Sequence, residues 1–478
     1  MAVAGLAGAA YGDGAGISLI PAPRKMSVTG GECQAKAPVK KVRIASIPSE
    51  GYELSITAEG VTIRYSDDAG AFYADKTLRQ LRREKDGAVT YPCVEIKDSP
   101  AFKWRGVQFD DARHFFGKAT VKRTIDLMSR YKFNVFHWHL TDNEFWLVDI
   151  PGYPELVKHG RTQDKGEAVG PFRYTANDIR EVVEYARARH VTVVPELEFP
   201  GHFATVGRAY PDFICPTAEK RRGSMCVGNA DAVRFAEKAL DYICGLFPSE
   251  VIHFGGDECS RENWLTCPRC KALMERESMK DVEELQQWLT RHLADYLVKK
   301  GKRPIGWDEM FFIRTGKRFE DHTFVNHSKA AIGMCWRNTN VAGRVANSGY
   351  EIVNCPTDYC YLDYNQSLPP EIDPYRYFMK RARLTFEKTY RYDPLEGVKP
   401  EFRKNVLGGQ CCNWAERTTN DAELEWKMWP RALAIAEVLW TYPDPGKRDF
   451  AEFSARAKEH RVRLMLDKVN CAPLGAAE

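Results

Sequence analysis

At 478 residues, 44% hydrophobic and 28% charged, the chain is too long for one average domain and too apolar to be disordered. Lys and Arg number 69 against 65 Asp and Glu, a surplus too small to select nucleic acid or an anionic membrane, and no apolar run is long enough to span a bilayer. The 11 Trp, 21 Tyr and 24 Phe carry more information, because aromatic faces are what proteins stack on sugars and other flat ligands.

The chain starts MAVAGLAGAAYGDGAG, small and mildly apolar with no basic segment before it. It fits either the trimmed end of a signal peptide or an arbitrary start to the chain, and export (periplasmic, lysosomal-type or extracellular) is suspected on the first of these. VKKVRIASIP, GYELSITAEG and GVTIRYSD then alternate apolar and polar residues between turn signals, as strands of a half-exposed sheet do. AGAFYADKTLRQLRR follows as a helix with Phe72, Leu78 and Leu81 near one face. DSPAFKW, with Pro100, marks the end of this small α+β unit, residues 1–100.

From Trp104 onward, short apolar strands alternate with amphipathic helices. The strands are predicted at 104–110, 134–142, 191–199, 250–258, 303–309, 331–336, 350–356 and 406–414. Helices are predicted between several of them, in VKRTIDLMSRYK, ANDIREVVEYARAR, DAVRFAEKALDYICGLF and DVEELQQWLTRHLADYLVKK; the connections after the sixth and seventh strands give no clear pattern. Eight strand–helix repeats predict a (β/α)8 TIM barrel over 101–445. A doubly wound open sheet is the rival, weakened by the lack of GxGxxG at a first strand-to-helix turn. DFAEFSARAKEHRVRLML, within 446–478, predicts a terminal helix packed on the barrel.

Of the 14 Cys, Cys267 and Cys270 form CPRC. This is half of a zinc pattern with no second CxxC or HxxxH visible, so a local disulfide or two quiet thiols is the favoured reading. Cys215 and Cys226 bracket a polar, basic loop and make a plausible bridge, and the adjacent Cys411 and Cys412 alternate faces of a core strand.

Nearly every barrel strand ends in Asp, Glu, His or Trp, and in a barrel those ends share the face that carries the chemistry. HFGGDE (253–258) is the strongest signal. Gly255 and Gly256 let the backbone bend so that Asp257 and Glu258 reach one pocket, where two neighbouring carboxylates cannot both ionise cheaply and one becomes a general acid. Trp307, Trp336 and Trp414 close three other strands and form an aromatic wall if they converge. HWHLTD offers His137 and His139, a possible metal pair, and Asp142, suited to a hydrogen-bond relay. His202, in PELEFPGH, lies where it could hold Glu258 or Asp142.

Together WRGVQFDDARHFF, NVFHWHLTD, PELEFPGH, VIHFGGDE, GWDE, YLD and GGQCCNW followed by WPRALAIAEVLW resemble the family 20 glycoside hydrolases, the β-N-acetylhexosaminidases, over about residues 104–440. The first hundred residues resemble the α+β domain that precedes the barrel in that family. The resemblance implies a retaining exo-enzyme that removes terminal β-linked N-acetylglucosamine or N-acetylgalactosamine. The 2-acetamido oxygen of the sugar is the nucleophile, and no metal or organic cofactor takes part. It implies Glu258 as acid then base, Asp257 as partner of the acetamido N–H, and Tyr361 as donor to the acetamido oxygen. Trp307, Trp336 and Trp414 would enclose the acetamido methyl and the ring. Arg105, Glu416 and Asp363 would bind ring hydroxyls, and Asp142 and His202 would support Glu258. Arg113 and His114 belong to the first-strand motif without an assigned sugar contact. Asn143–Trp146 and the Cys412–Asn413 pair depart from the usual family pattern near the rim. Two rivals are a metal-dependent amidohydrolase or deacetylase using the HxH pair, and a non-catalytic sugar-binding protein. Expected partners are glycans, with neither nucleic acid nor a membrane span.

Overall fold

The computed structural model describes residues 16–162, 166–216, 223–315, 321–369, 371–375 and 383–475. Nearly all of the N-terminal stretch read as a leader remnant, and most of the basic loop between Cys215 and Cys226, lie outside them.

The first unit is a sheet of β1 (Lys25–Gln34), β2 (Val39–Arg43), β3 (Tyr52–Thr57), β4 (Gly60–Tyr65), β5 (Arg83–Lys85) and β6 (Ala88–Asp98). The strand order is β1-β6-β3-β4-β2, with β5 paired to β6. In β3 burial alternates along YELSIT, the period-2 signature of a sheet with one wet face. The helix Asp68–Leu81 is started by Asp67, whose carboxylate accepts from the Gly70 N–H. It lays Tyr73, Ala74, Leu78 and Leu81 on Leu54, Ile56, Ile63, Val94 and Ile96.

Eight parallel strands then close a barrel. They are, in order, Trp104–Asp110, Val135–His139, Thr192–Glu196, Val251–His253, Arg303–Trp307, Ile332–Cys335, Glu351–Asn354 and Val406–Asn413. The last pairs with the first from Gly408–Trp104 to Asn413–Phe109. All eight predicted strands are present, mostly shorter at their C-terminal ends. The polar residues there leave the sheet and become the site. Helices Lys118–Arg130, Ala176–Arg187, Ala230–Leu246 and Val282–Lys299 cover the outside, and Thr339–Asn347 follows the sixth strand. Among the described residues after the seventh strand the helices are short, Thr357–Cys360, Phe386–Tyr390 and Pro400–Asn405, and pieces this short leave no periodic pattern.

The terminal helix, Phe450–Leu466, buries Phe453, Arg456, Ala457, His460 and Leu464. Phe453 stacks on Tyr390 at 4.2 Å, and Arg456 donates to Glu437 and, at 2.7 Å, to the carbonyl of Leu19.

Arg105 corrects an expectation. It stands at the start of the first barrel strand, not at its end, and is 1% exposed. Its guanidinium donates to the carbonyls of Lys132 and Phe102 at 2.8 Å each, to Tyr73 Oη at 3.2 Å and to Glu50. It therefore ties the small domain to the barrel floor and does not meet a sugar at the mouth. Beside it, Asp98 accepts from Lys132 Nζ (2.9 Å), Tyr52 Oη (2.7 Å) and Trp440 Nε1 (2.9 Å). Four donors and acceptors from both domains are thus satisfied in a buried joint.

Candidate active site

The fourth strand ends at His253 and the chain turns through Gly255 at φ +74° and Gly256 at φ +107°. Only glycine takes these angles without strain. At Gly255 a Cβ would also lie 2.0 Å from Glu198 Oε2. The turn carries Asp257, buried, and Glu258, whose side chain is 60% exposed and whose own φ is +44°. A glutamate held in the left-handed region marks a position where the surrounding fold fixes geometry against local preference.

His202, also left-handed at φ +49°, faces both acids. Its Nε2 lies 3.4 Å from Asp257 Oδ2 and 3.7 Å from Glu258 Oε2, and its Nδ1 lies 3.1 Å from Asp142 Oδ1. Asp142 is fixed in turn by Arg113 Nη2 at 2.8 Å and His139 Nε2 at 3.0 Å. A chain of polar contacts thus runs from Arg113 and His139 through Asp142 to His202, which faces both acids.

Burial weakens the charge on His202, but Asp142 and Asp257 outweigh it and keep the ring protonated well above its ordinary range. The two acids divide as a coupled pair should. Burial, then the charge of Asp257, pushes the Glu258 carboxyl up. Burial also acts against ionising Asp257, but His202 more than offsets it and holds that carboxyl below its usual value. Glu198, 1% exposed, lies behind the pair, and burial and then Asp257 push its carboxyl well up.

The aromatic wall is contiguous. Ring centroids of Trp307 and Trp414 are 5.8 Å apart, Trp414 and Tyr361 6.1 Å, and Tyr361 and Trp336 6.3 Å with near-parallel planes. Trp307 Nε1 donates to Glu196 Oε1 at 2.8 Å, and Trp336 Nε1 to Glu309 Oε2 at 3.1 Å, so both indoles are locked in orientation. Burial raises the Tyr361 phenol well above its ordinary pKa, which keeps it a donor. Asp363 is half-buried, and burial followed by Glu416 raises it to about 8.

Arg113, given no sugar contact from the sequence, occupies the place expected of Arg105. Its guanidinium sits 4.9 Å over the Trp414 ring, 2.8 Å from Asp142 and 3.9 Å from both Glu144 and Glu416. The signal for it was its position just beyond a strand end, in the motif that also holds Arg105. Glu309, after Trp307, is a second addition: its Oε1 accepts the Glu258 N–H at 3.4 Å and its carboxylate pairs with Arg337.

His137 and His139 turn into the barrel onto Glu196, at 3.1 and 2.5 Å. His253 reaches the same carboxylate at 2.8 Å. His137 Nδ1 faces Gln410 Nε2 at 3.0 Å, and His139 Nε2 faces Asp142 and, at 3.3 Å, the Arg113 cation. These rings are a buried hydrogen-bonded floor, and a cation beside one of them opposes a metal there. His327 lies elsewhere, against Phe311, with its Nε2 facing the carbonyl of Met310.

The cysteines overturn one expectation, since no Cys215–Cys226 bridge is formed, and decide another, since Cys267 and Cys270 are two thiols and not a local disulfide; all four are free and buried. They instead meet in one cluster, Cys215–Cys270 at 3.6 Å and Cys226–Cys267 at 3.7 Å. Cys411 and Cys412 are core residues of the eighth strand, as expected.

The family description "Glycosyl hydrolase family 20, catalytic domain" matches residues 102–443, and its "domain 2" matches residues 34–99. The chain belongs to glycosyl hydrolase family 20. A β-hexosaminidase of Akkermansia muciniphila is 30% identical, over 94% of this chain and 90% of its own length. One from Porphyromonas gingivalis is 35% identical over 89% of this chain, and this chain spans about half (55%) of that longer relative. Among solved structures, a family 20 exo-β-N-acetylglucosaminidase from Vibrio harveyi superposes with a TM-score of 0.85 at 28% identity, over 95% of this chain and 78% of the other. A β-N-acetylhexosaminidase from Bacteroides fragilis gives 0.84 at 27%, over 96% and 98%. The barrel is thus a family 20 glycoside hydrolase catalytic domain, and no helix among the described residues is long and apolar enough to cross a membrane.

Proposed function

We propose that this family 20 barrel removes terminal β-linked N-acetylglucosamine or N-acetylgalactosamine from glycans with retention, the 2-acetamido group of the sugar acting as nucleophile. The observation that carries this reading is the acid pair itself: Asp257 and Glu258 leave one glycine turn and both face His202, at 3.4 and 3.7 Å, with their surroundings biasing Glu258 towards its acid form and Asp257 towards its anion.

In the first half of the cycle, Glu258 gives its proton to the glycosidic oxygen as the bond from that oxygen to the anomeric carbon breaks. The acetamido carbonyl oxygen forms the new bond to that carbon, and the charge spreads into an oxazolinium ring. Asp257 accepts the acetamido N–H and balances that charge, and Tyr361 donates to the acetamido oxygen and holds it in line. Trp307, Trp336 and Trp414 enclose the methyl group and the sugar face. The nucleophile is already attached to the substrate, so the cost of bringing it in is small. In the second half, the Glu258 carboxylate takes a proton from water. The hydroxide adds to the anomeric carbon, the ring opens to the acetamide, and the β configuration returns. Arg113, Glu416 and Asp363 would hold the ring hydroxyls, with Arg113 in the role first given to Arg105.

A panel of aryl glycosides with and without the 2-acetamido group, assayed with and without brief exposure to EDTA, tests this. We expect turnover of the acetamido sugars alone, indifferent to EDTA. Equal cleavage of the plain glucoside would refute the sugar's part in the chemistry. Loss of activity in EDTA with the circular dichroism spectrum and melting temperature unchanged would favour the amidohydrolase reading, and binding without turnover the non-catalytic one.

A further inference from the structure

Behind the loops that carry His202 and the acid pair, the sulfurs of Cys215, Cys226, Cys267 and Cys270 all lie within 4.8 Å of one another, and each residue is at most 1% exposed. The separations are 3.6 Å for Cys215–Cys270, 3.7 Å for Cys226–Cys267 and 3.9 Å for Cys226–Cys270. A tetrahedral zinc with Zn–S bonds of about 2.3 Å sets its sulfurs about 3.8 Å apart. Two disulfides would need S–S contacts of about 2.05 Å within each pair and nothing particular between pairs. Here the contact that crosses between the two possible bridges, 3.9 Å, is within 0.3 Å of the contacts inside them, 3.6 and 3.7 Å.

The backbone around the cluster is shaped for the same purpose. Cys267 and Cys270 lie at the start of the helix Pro268–Arg276, where the helix dipole favours thiolates. Cys215 and Cys226 flank the antiparallel bridge Ile214–Met225, and the Cys226 N–H donates to the Phe213 carbonyl at 2.8 Å. Gly228 lets these two halves touch, since a Cβ there would lie 2.2 Å from the Arg269 carbonyl carbon and 2.4 Å from the Cys270 nitrogen.

We propose that Cys215, Cys226, Cys267 and Cys270 form a closed structural zinc site. Four thiols lose four protons as one Zn2+ binds, leaving a centre of charge −2, and Arg269, between the two knuckle cysteines, supplies a neighbouring cation. With four protein ligands the metal has no open position and takes no part in chemistry. Its task is to staple the loop after the third strand to the loop after the fourth. From the cluster, the Met225 N–H donates to Pro200 O at 2.9 Å, Ser224 Oγ to Ser260 O at 2.7 Å, and Trp264 Nε1 to Met225 O at 2.9 Å. Pro200 precedes Gly201–His202, and Ser260 follows Asp257–Glu258, so the staple fixes the distance between them. The metal assignment stands independently of the proposed reaction.

The test is elemental analysis of the full chain purified without added metal or chelator, joined to peptide mapping without reduction. We expect one zinc per chain, released when a mercurial titrates the thiols, and all four cysteines recovered as unbridged peptides. The cobalt-substituted protein should show the absorption of a tetrahedral tetrathiolate. Metal-free protein, or these cysteines recovered as two disulfides, would overturn the proposal. These measurements on the unmodified chain need no variant to fold. Cys270→Ser, where it is soluble, should lose the zinc.

Discussion

In the proposed reaction Glu258 is an acid when the glycosidic bond breaks and a base when water arrives, and its surroundings favour the first state through partial desolvation and the charge of Asp257. Two limbs of the pH profile follow. Activity should fall as pH rises through the raised value of Glu258, because the donor is lost. It should also fall as pH drops through the depressed value of Asp257, because the anion is lost. Glu258→Gln should cut kcat on a natural glycoside by about 10²–10⁴-fold, with an unchanged circular dichroism spectrum and no alkaline limb. Near-normal turnover of that variant would remove Glu258 from the mechanism. The two arginines provide a second residue-scale check. Arg113→Lys loses a fork placed over Trp414 and should raise KM on the order of tenfold, about 1.4 kcal/mol. Arg105→Lys should lower the melting temperature and leave KM alone. The acids, the relay histidine and the tryptophans could be picked out in the sequence because each lies at or within a few residues beyond the end of a barrel strand. By that same criterion Arg113 qualifies and Arg105, at a strand start, does not. The cysteine cluster could not be read so, because spacing along the chain says nothing of two loops that meet only after the barrel closes.

The glycine turn is the element on which the pair depends. Gly255→Ala would place a methyl group 2.0 Å from Glu198 and force φ +74° on a residue with a Cβ. We expect a loss of more than about 3 kcal/mol, since backbone strain of about 1–3 kcal/mol adds to the clash. Gly256→Ala meets nothing within 4 Å and should cost only the strain. Urea denaturation of the two variants distinguishes these effects, and equal losses would mean that Glu198 moves aside at no cost. Among the elements, the eight barrel strands were legible because apolar runs between turns are their only plausible state. β1 was not, because it is almost wholly exposed and its register shifts between Val28 and Glu32, so no alternation marks it. The region after the seventh strand failed for a related reason: its helices are one turn or so long and show no period.

At the scale of the whole molecule, one fully buried ion pair joins the two domains at the barrel floor. Lys132 and Asp98 are 1% and 0% exposed in their side chains and 2.9 Å apart. Lys132→Met would leave Asp98 an uncompensated buried anion and should destabilise the chain by about 3–5 kcal/mol, with kcat unaffected in the fraction still folded. Adding Asp98→Asn should restore part of that loss, because the stranded charge disappears. A double variant no better than the single one would show that the tryptophan and tyrosine donors, not the ion pair, set the cost.

The joint of Arg105, Glu50, Lys132 and Asp98 sits at the base of the strands, while selectivity is decided at their tips. Insertions or swaps in the mouth can therefore retune which glycan is accepted without loosening the seam between the two domains. A barrel cut free of its small partner would instead strand two buried cations, Arg105 without Glu50 and Tyr73 and Lys132 without Asp98 and Tyr52.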